Sequence, residues 1–193
     1  MIDNFSIAKD LIAKQEGYVY LVYVQRRHKD GNPDVGEYEA ILSNGGANTK
    51  ILIGYWLFAS YEELMSKSDE IKQLCADRNA RAYLVTSPKP LAKINRMILE
   101  KKASSWISTF RAIYDTKDAD KMTLLIDADT KDTALVGSIA NDVFALTKIP
   151  PIILPTPNGF GIATAVFPKG ALGKYFPYAI IPYGAALLYY AKP

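Results

Sequence analysis

Seven consecutive residues, Tyr18-Val19-Tyr20-Leu21-Val22-Tyr23-Val24, are all apolar, aromatic or β-branched. Successive residues of a strand point to opposite faces, so a run with no polar position predicts a strand covered on both sides, central in its sheet. The neighbouring segments supply partners and cover. Tyr38 to Leu42 and Lys50 to Phe58 read as strands, separated from the first by the turn-rich Lys29 to Gly36 and from each other by Ser43-Asn44-Gly45-Gly46. An antiparallel meander is the simplest account. Asp3 to Glu16 has the spacing of a short amphipathic helix closed by Gly17. Ser60 and Glu63 form a capping-box pair opening a helix over Tyr61 to Arg78. Cys75 lies on the apolar side of that helix, as a core residue rather than a nucleophile. Arg81 to Thr86 is a further strand, and Leu91 to Tyr114 is helical with a break expected at Ser104-Ser105.

A second unit begins at Met122. An apolar strand, Met122 to Ile126, runs into Asp127-Ala128-Asp129 and a helix from about Asp132 to Leu146. Ile152 to Leu154 and Ile162 to Phe167 flank Thr156-Pro157-Asn158-Gly159, whose Asn-Gly pair marks a hairpin turn. A short helix near Ala171 to Tyr175 and a last apolar strand, Ala185 to Tyr190, complete the order strand, helix, strand, strand, helix, strand. That order predicts a split βαβ, RRM-like unit with helices on one face of its sheet. The expected class is α+β with a mixed, largely antiparallel sheet. With 193 residues, the chain is expected to form a single domain with subdomains of about 1–120 and 121–193.

Composition narrows the setting. Apolar residues make up 49% and charged residues 22%, which excludes a disordered chain. One cysteine and one histidine cannot build the usual zinc site or an internal disulfide, so a reducing, cytoplasmic compartment is expected. Met1 to Gln15 lacks the continuous apolar core of a secretory signal. Tyr178 to Ala191 is too short and too broken by Pro182 and Gly184 to span a bilayer, so no membrane partner is expected. The net charge of +3 permits contact with polyanions. Gln25-Arg26-Arg27-His28-Lys29 concentrates positive charge directly after the apolar strand, either as a solvated turn or as a phosphate contact.

Asp127 and Asp129 carry the sharpest chemical signal. At positions i and i+2 they share one face, and two adjacent carboxylates repel unless a cation lies between them. Mg²⁺ or Mn²⁺ is the usual partner, with substrate phosphates completing the shell. The competing reading is structural: acidic residues before a helix serve as turn and N-cap groups.

Leu124-Leu125-Ile126-Asp127-Ala128-Asp129, followed by a helix, a strand and the hairpin Thr156-Pro157-Asn158-Gly159-Phe160-Gly161, resembles the archaeo-eukaryotic primase (primase-polymerase) superfamily over about residues 122–190. The resemblance implies a metal-dependent nucleotidyltransferase of DNA replication, in which the Asp-x-Asp pair binds two metals, a hairpin histidine contacts the incoming nucleotide's phosphates and a later aspartate completes the metal site. Two positions depart from that pattern. Gly161 or a neighbour stands where the histidine is expected, and no aspartate follows Asp142, with Tyr183 or its neighbours at the third acid's place. The resemblance therefore implies a divergent or inactive relative. Asp-x-Asp glycosyltransferases share the local signal, but the helix that opens this chain and the antiparallel strands after it differ from their usual start.

The sequence thus nominates Asp127 and Asp129 as catalytic, metal-binding carboxylates. Asn158 and Gly159 would shape the adjoining hairpin, and Arg26, Arg27, Arg81 and Lys89 would meet nucleotide or nucleic acid. Several of the 13 tyrosines suit either base stacking or half-buried sheet positions. His28 is an acid or base candidate by residue type alone. No phosphate loop, dinucleotide fingerprint or serine elbow is present. The alternative from another class is a non-catalytic nucleic-acid-binding or assembly module.

Overall fold

The computed structural model describes residues 1–27, 39–43, 49–175, 178–180 and 184–191. The loop Lys29 to Gly36, turn residues Asn44 to Gly46, His28 and Tyr183 lie outside them. The protein is α+β, with two antiparallel sheets and helices packed against both. Among the described residues no helix is long and apolar enough to cross a membrane.

The large sheet contains β1 (Ile2–Asp3), β2 (Tyr18–Arg27), β3 (Ala40–Ser43), β4 (Lys50–Phe58), β5 (Arg81–Val85), β6 (Lys89–Pro90) and β11 (Ala185–Tyr190). Its order is β1-β11-β5-β2-β4-β3, with β6 also pairing with β2. The apolar run is central, as its composition requires. Tyr20, Val22 and Val24 enter one core beneath α2 (Tyr61–Ser66) and α3 (Ser68–Asp77). Leu21 and Tyr23 enter the opposite core, beneath α4 (Leu91–Glu100) and α5 (Trp106–Asp115). One strand therefore anchors both layers through its period of two.

The small sheet, ordered β10-β7-β9-β8, holds β7 (Thr123–Ala128), β8 (Ile152–Pro155), β9 (Phe160–Ala165) and β10 (Ala179–Ile180). Leu124, Ile126 and Ala128 face α6 (Thr133–Thr147) and the 3-10 segment Lys169–Tyr175, which cover a single face. Leu125 points the other way, with Leu154 and Ala163, and packs on Ala186 of the large sheet.

Three expectations are corrected. The helix over Asp3 to Glu16 shrinks to α1 (Ala8–Leu11). Its start is taken by β1 pairing with β11, and by buried Asn4, whose side-chain amide donates to the carbonyls of Pro155 and Leu187, both at 2.9 Å. The helix over Tyr61 to Arg78 breaks at Lys67, because Ser66 and Ser68 donate their hydroxyls to the carbonyls of Glu63 and Met65. The closing strand, Ala185–Tyr190, lies in the large sheet rather than the small one. The fourth strand of the small sheet is instead the two-residue β10.

Candidate functional site

β7 pairs with β9 along its length, Asp127 opposite Gly161 and Ala128 opposite Phe160. Asp127 shares the Leu125 side of the strand, and Asp129 follows one residue past the strand's end. Backbone bonds fix that end: Asp129 N–H donates to the Tyr178 carbonyl at 3.1 Å, and Thr130 N–H to the Ala128 carbonyl at 2.8 Å. The N-cap role belongs to Asp132, which accepts from the N–H groups of Ala134 and Leu135. Neither Asp127 nor Asp129 is used for capping, so both carboxylates face a cleft of about 300 Å³ between the sheets.

The hairpin closes over this strand end. Thr156 N–H donates to the Gly159 carbonyl and Gly159 N–H to Thr156 Oγ1. A side chain at Gly159 would collide with the Ala128 carbonyl oxygen and lie 2.6 Å from the Thr130 carbonyl oxygen. The backbone contact leaves no room for a Cβ, so Gly159 is a spacer for the acidic strand end. Asn158 is exposed and lines the cleft.

The opposite wall is cationic. Arg27 and Arg81 are on odd-numbered positions of β2 and β5 and line the cleft, joined by Lys50, the register partner of Arg27 on β4. Arg27 donates to Tyr83 Oη at 3.3 Å, while its Nε is buried with no hydrogen-bond partner among the described residues. The Arg81 guanidinium lies over the Tyr190 ring, 4.2 Å from its centroid. The rings of Tyr23 and Tyr83 stack with centroids 5.5 Å apart, and Tyr114 meets Tyr23 edge-on.

Electrostatics couple the walls. Burial raises the Asp127 carboxyl above the ordinary aspartate range, the neighbouring Asp129 raises it further, and Arg27 opposes both. Lys50 exposes much of its side chain, yet partial burial of the ammonium and then the charge of Arg27 hold it below the usual lysine range. Burial also pushes the Tyr23 hydroxyl well above its usual value, so it stays protonated near neutral pH.

The cleft thus gathers Asp127, Asp129, Asn158, Arg27 and Arg81 from the nominated residues, with Gly159 supporting them. Arg26 and Lys89 stand apart. Arg26, one residue before Arg27, points through the sheet to the other face and forms a buried ion pair with Glu39. Lys89 is buried, and its ammonium donates to the carbonyls of Tyr114 and Thr116 at the end of α5, both at 2.8 Å. Burial lowers Lys89 to about 8, assisted by Lys117 and opposed by Asp115. Lys50 and Tyr114 were not nominated. The β2–β4 register reveals Lys50, whereas no local signal marks Tyr114.

The donor set admits a hard cation only as a shared guest. Two carboxylates fall short of a full oxygen shell, and among the described residues no group of three His, Cys, Asp or Glu converges to hold a metal. Further oxygens would have to come from a ligand. Neither a scan against protein-family models nor searches of curated proteins and of solved structures finds a match for this chain.

Proposed function

We propose that the cleft binds a nucleoside triphosphate together with Mg²⁺ or Mn²⁺, and that the protein is a divergent primase-polymerase-like enzyme with an RRM-like unit, acting on nucleic acid in the cytoplasm. One observation carries the reading: two carboxylates at the β7 end, with no side-chain hydrogen bond or ion pair among the described residues, line one cleft with three cations drawn from β2, β4 and β5. That is the charge pattern of a metal–polyphosphate complex, in which the anion bridges cation and arginine. Asp127 and Asp129 would hold the ion from one side. When bound, the ion supplies charge neutralisation at the phosphoryl oxygens. Arg27 and Arg81 would orient the phosphates through guanidinium N–H groups that line the cleft. Lys50 would add a point charge at the rim. Asn158 and the hairpin would close the acidic side against water.

Calorimetry with ATP and Mn²⁺ tests this directly. Wild type should bind ATP only when Mn²⁺ is present, and the double variant Asp127→Asn/Asp129→Asn should lose that dependence. ATP binding that ignores the metal in both proteins would remove the proposal. Incorporation of labelled nucleotide on a primed template then separates enzyme from module. A binding module is favoured by the absence of a third carboxylate beside the pair among the described residues, and metal-dependent binding without incorporation would assign it.

A further inference from the structure

Tyr114, near the end of α5, borders the cleft and two further cavities beside it. One of these, a second cavity of about 230 Å³, shares Tyr23, Gln25, Lys50 and Tyr114 with the main cleft and adds Leu42, Phe110, Arg111 and Asp115. Tyr23 and Tyr114 are common to both cavities, and Phe110 adds a further ring to the second, beside Lys50, Arg111 and Asp115. Asp127, Asp129, Arg27 and Arg81 all line the first cavity, the more heavily charged end, so phosphates held there would leave the second to the rest of the ligand.

The aromatic residues are not equivalent. Tyr23 and Tyr83 face one another at an interplanar angle of 19°, so their facing sides are already in use, and Tyr23 is only 7% exposed. Phe110 is 3% exposed and stands behind them. Tyr114 is 37% exposed. It is braced by Phe110, with centroids 5.7 Å apart, and by the edge contact to Tyr23. Its main chain is pinned by the buried Lys89 ammonium on its carbonyl. A ring braced by Phe110 and Tyr23, with the Lys89 ammonium 5.8 Å from its centroid and more than a third of the residue still exposed, suits a stacking platform better than a core position.

Resting on the nucleotide reading of the cleft, we infer that Tyr114 is the base-stacking residue of this site, holding the nucleobase in the second cavity while the phosphates meet the charged end. Stacking is tolerant of base identity, so Tyr114 gives preference for nucleotides over bare polyphosphates without selecting among bases.

Two probes separate this inference from the reading beneath it: ATP and inorganic tripolyphosphate, each with Mn²⁺, measured by calorimetry on wild type, Tyr114→Leu and Tyr114→Phe. The expected result is roughly ten-fold weaker ATP binding in Tyr114→Leu, unchanged tripolyphosphate binding in the same variant, and near wild-type ATP binding in Tyr114→Phe. Far-UV circular dichroism and thermal unfolding check that the leucine variant is folded. Equal loss of both probes in a folded Tyr114→Leu overturns the inference, because the ring would then merely support the charged end. So does an ATP affinity that Tyr114→Leu leaves unchanged. If wild type binds neither probe with Mn²⁺, the nucleotide reading itself fails and takes the inference with it, an outcome distinct from a Tyr114 effect that is absent while wild type binds.

Discussion

Arg27, Lys50 and Arg81 stand on three neighbouring strands of the large sheet, whereas Asp127 and Asp129 stand at the end of one strand of the small sheet. The cationic wall is positioned by register. A shift of one residue in β2 would turn Arg27 to the far face and bring Arg26 to the cleft, at the expense of the buried Arg26–Glu39 pair. The acidic rim is positioned by backbone contacts at a chain reversal, with β10 on one side and the Gly159 hairpin on the other. The two walls therefore have different weaknesses. Removing a side chain from the large sheet should separate stability from ligand binding residue by residue, while adding one at the hairpin should damage both together.

The largest effect is expected where a charge is fully enclosed. Arg26→Ala removes the closer of the two arginines paired with buried Glu39, the other being Arg78 at 3.8 Å. It should lose about 3 kcal/mol of stability in urea titration. Arg27→Ala, one position along, should lose under about 1 kcal/mol and instead weaken Mn²⁺–ATP binding at least roughly ten-fold. Similar stability losses in the two variants would break the distinction between structural and cleft-facing arginines.

Gly159→Ala should cost about 2–3 kcal/mol, because the added methyl meets backbone rather than a movable side chain. Unlike the arginine pair, it should also abolish metal-dependent ATP binding. A stable variant with intact binding would show that the acidic rim does not depend on that close approach.

Lys89→Met should destabilise by about 2 kcal/mol, since it strips the donor from two carbonyls at the end of α5. Tripolyphosphate binding should be unchanged, which places Lys89 with the framework and not with the cleft. Its lowered value of about 8 means that the fold disfavours the charged amine. Stability from this group should accordingly rise with pH above about 8 in wild type and stay flat in the variant.

The smallest effect belongs to Asp127. Its carboxyl is raised first by burial and then by Asp129, so the fold favours the protonated form. Stability from this group is full below the ordinary aspartate range and falls as pH climbs through the raised value. Asp127→Asn should match wild type in Tm near pH 3 and exceed it by roughly 1–2 °C at pH 7 without metal. A lower Tm at pH 7 would mean that the carboxylate is already stabilised by a protein partner.

Most elements were legible because their signals are local. Lys50–Phe58 is marked by its apolar run, the break between α4 and α5 by Ser104-Ser105, and the start of α6 by Asp132. What escaped depends on distant partners. Ala185–Tyr190 is apolar on both faces, so its periodicity fits either sheet, and only tertiary pairing with β1 and β5 decides. Lys67 interrupts a strong helical pattern through serine hydroxyls that periodicity ignores. At the site, Asp127 and Asp129 were found from i, i+2 spacing alone. The same alternation distinguishes Arg26 from Arg27 as opposite-facing, but which face meets the cleft follows only from where the small sheet docks. Lys50 and Tyr114 reach the cleft through register and helix packing, which leave no mark in their own segments.

The insertion of residues 185–190 between β1 and β5 bears on how the chain matures during synthesis. A ribosome releases the N-terminal residues of β2, β4 and β5 long before β11 emerges, so until then the β5 edge is open and β1 has nothing to pair with. The two walls of the cleft cannot be brought to their final spacing in that interval, because Ala186 and Asn4 connect them through this strand. A translation arrest in the last stretch before β11 would therefore strand a chain that has every charged residue of the site and no assembled pocket. Its exposed strand edge would be a ready target for chaperones.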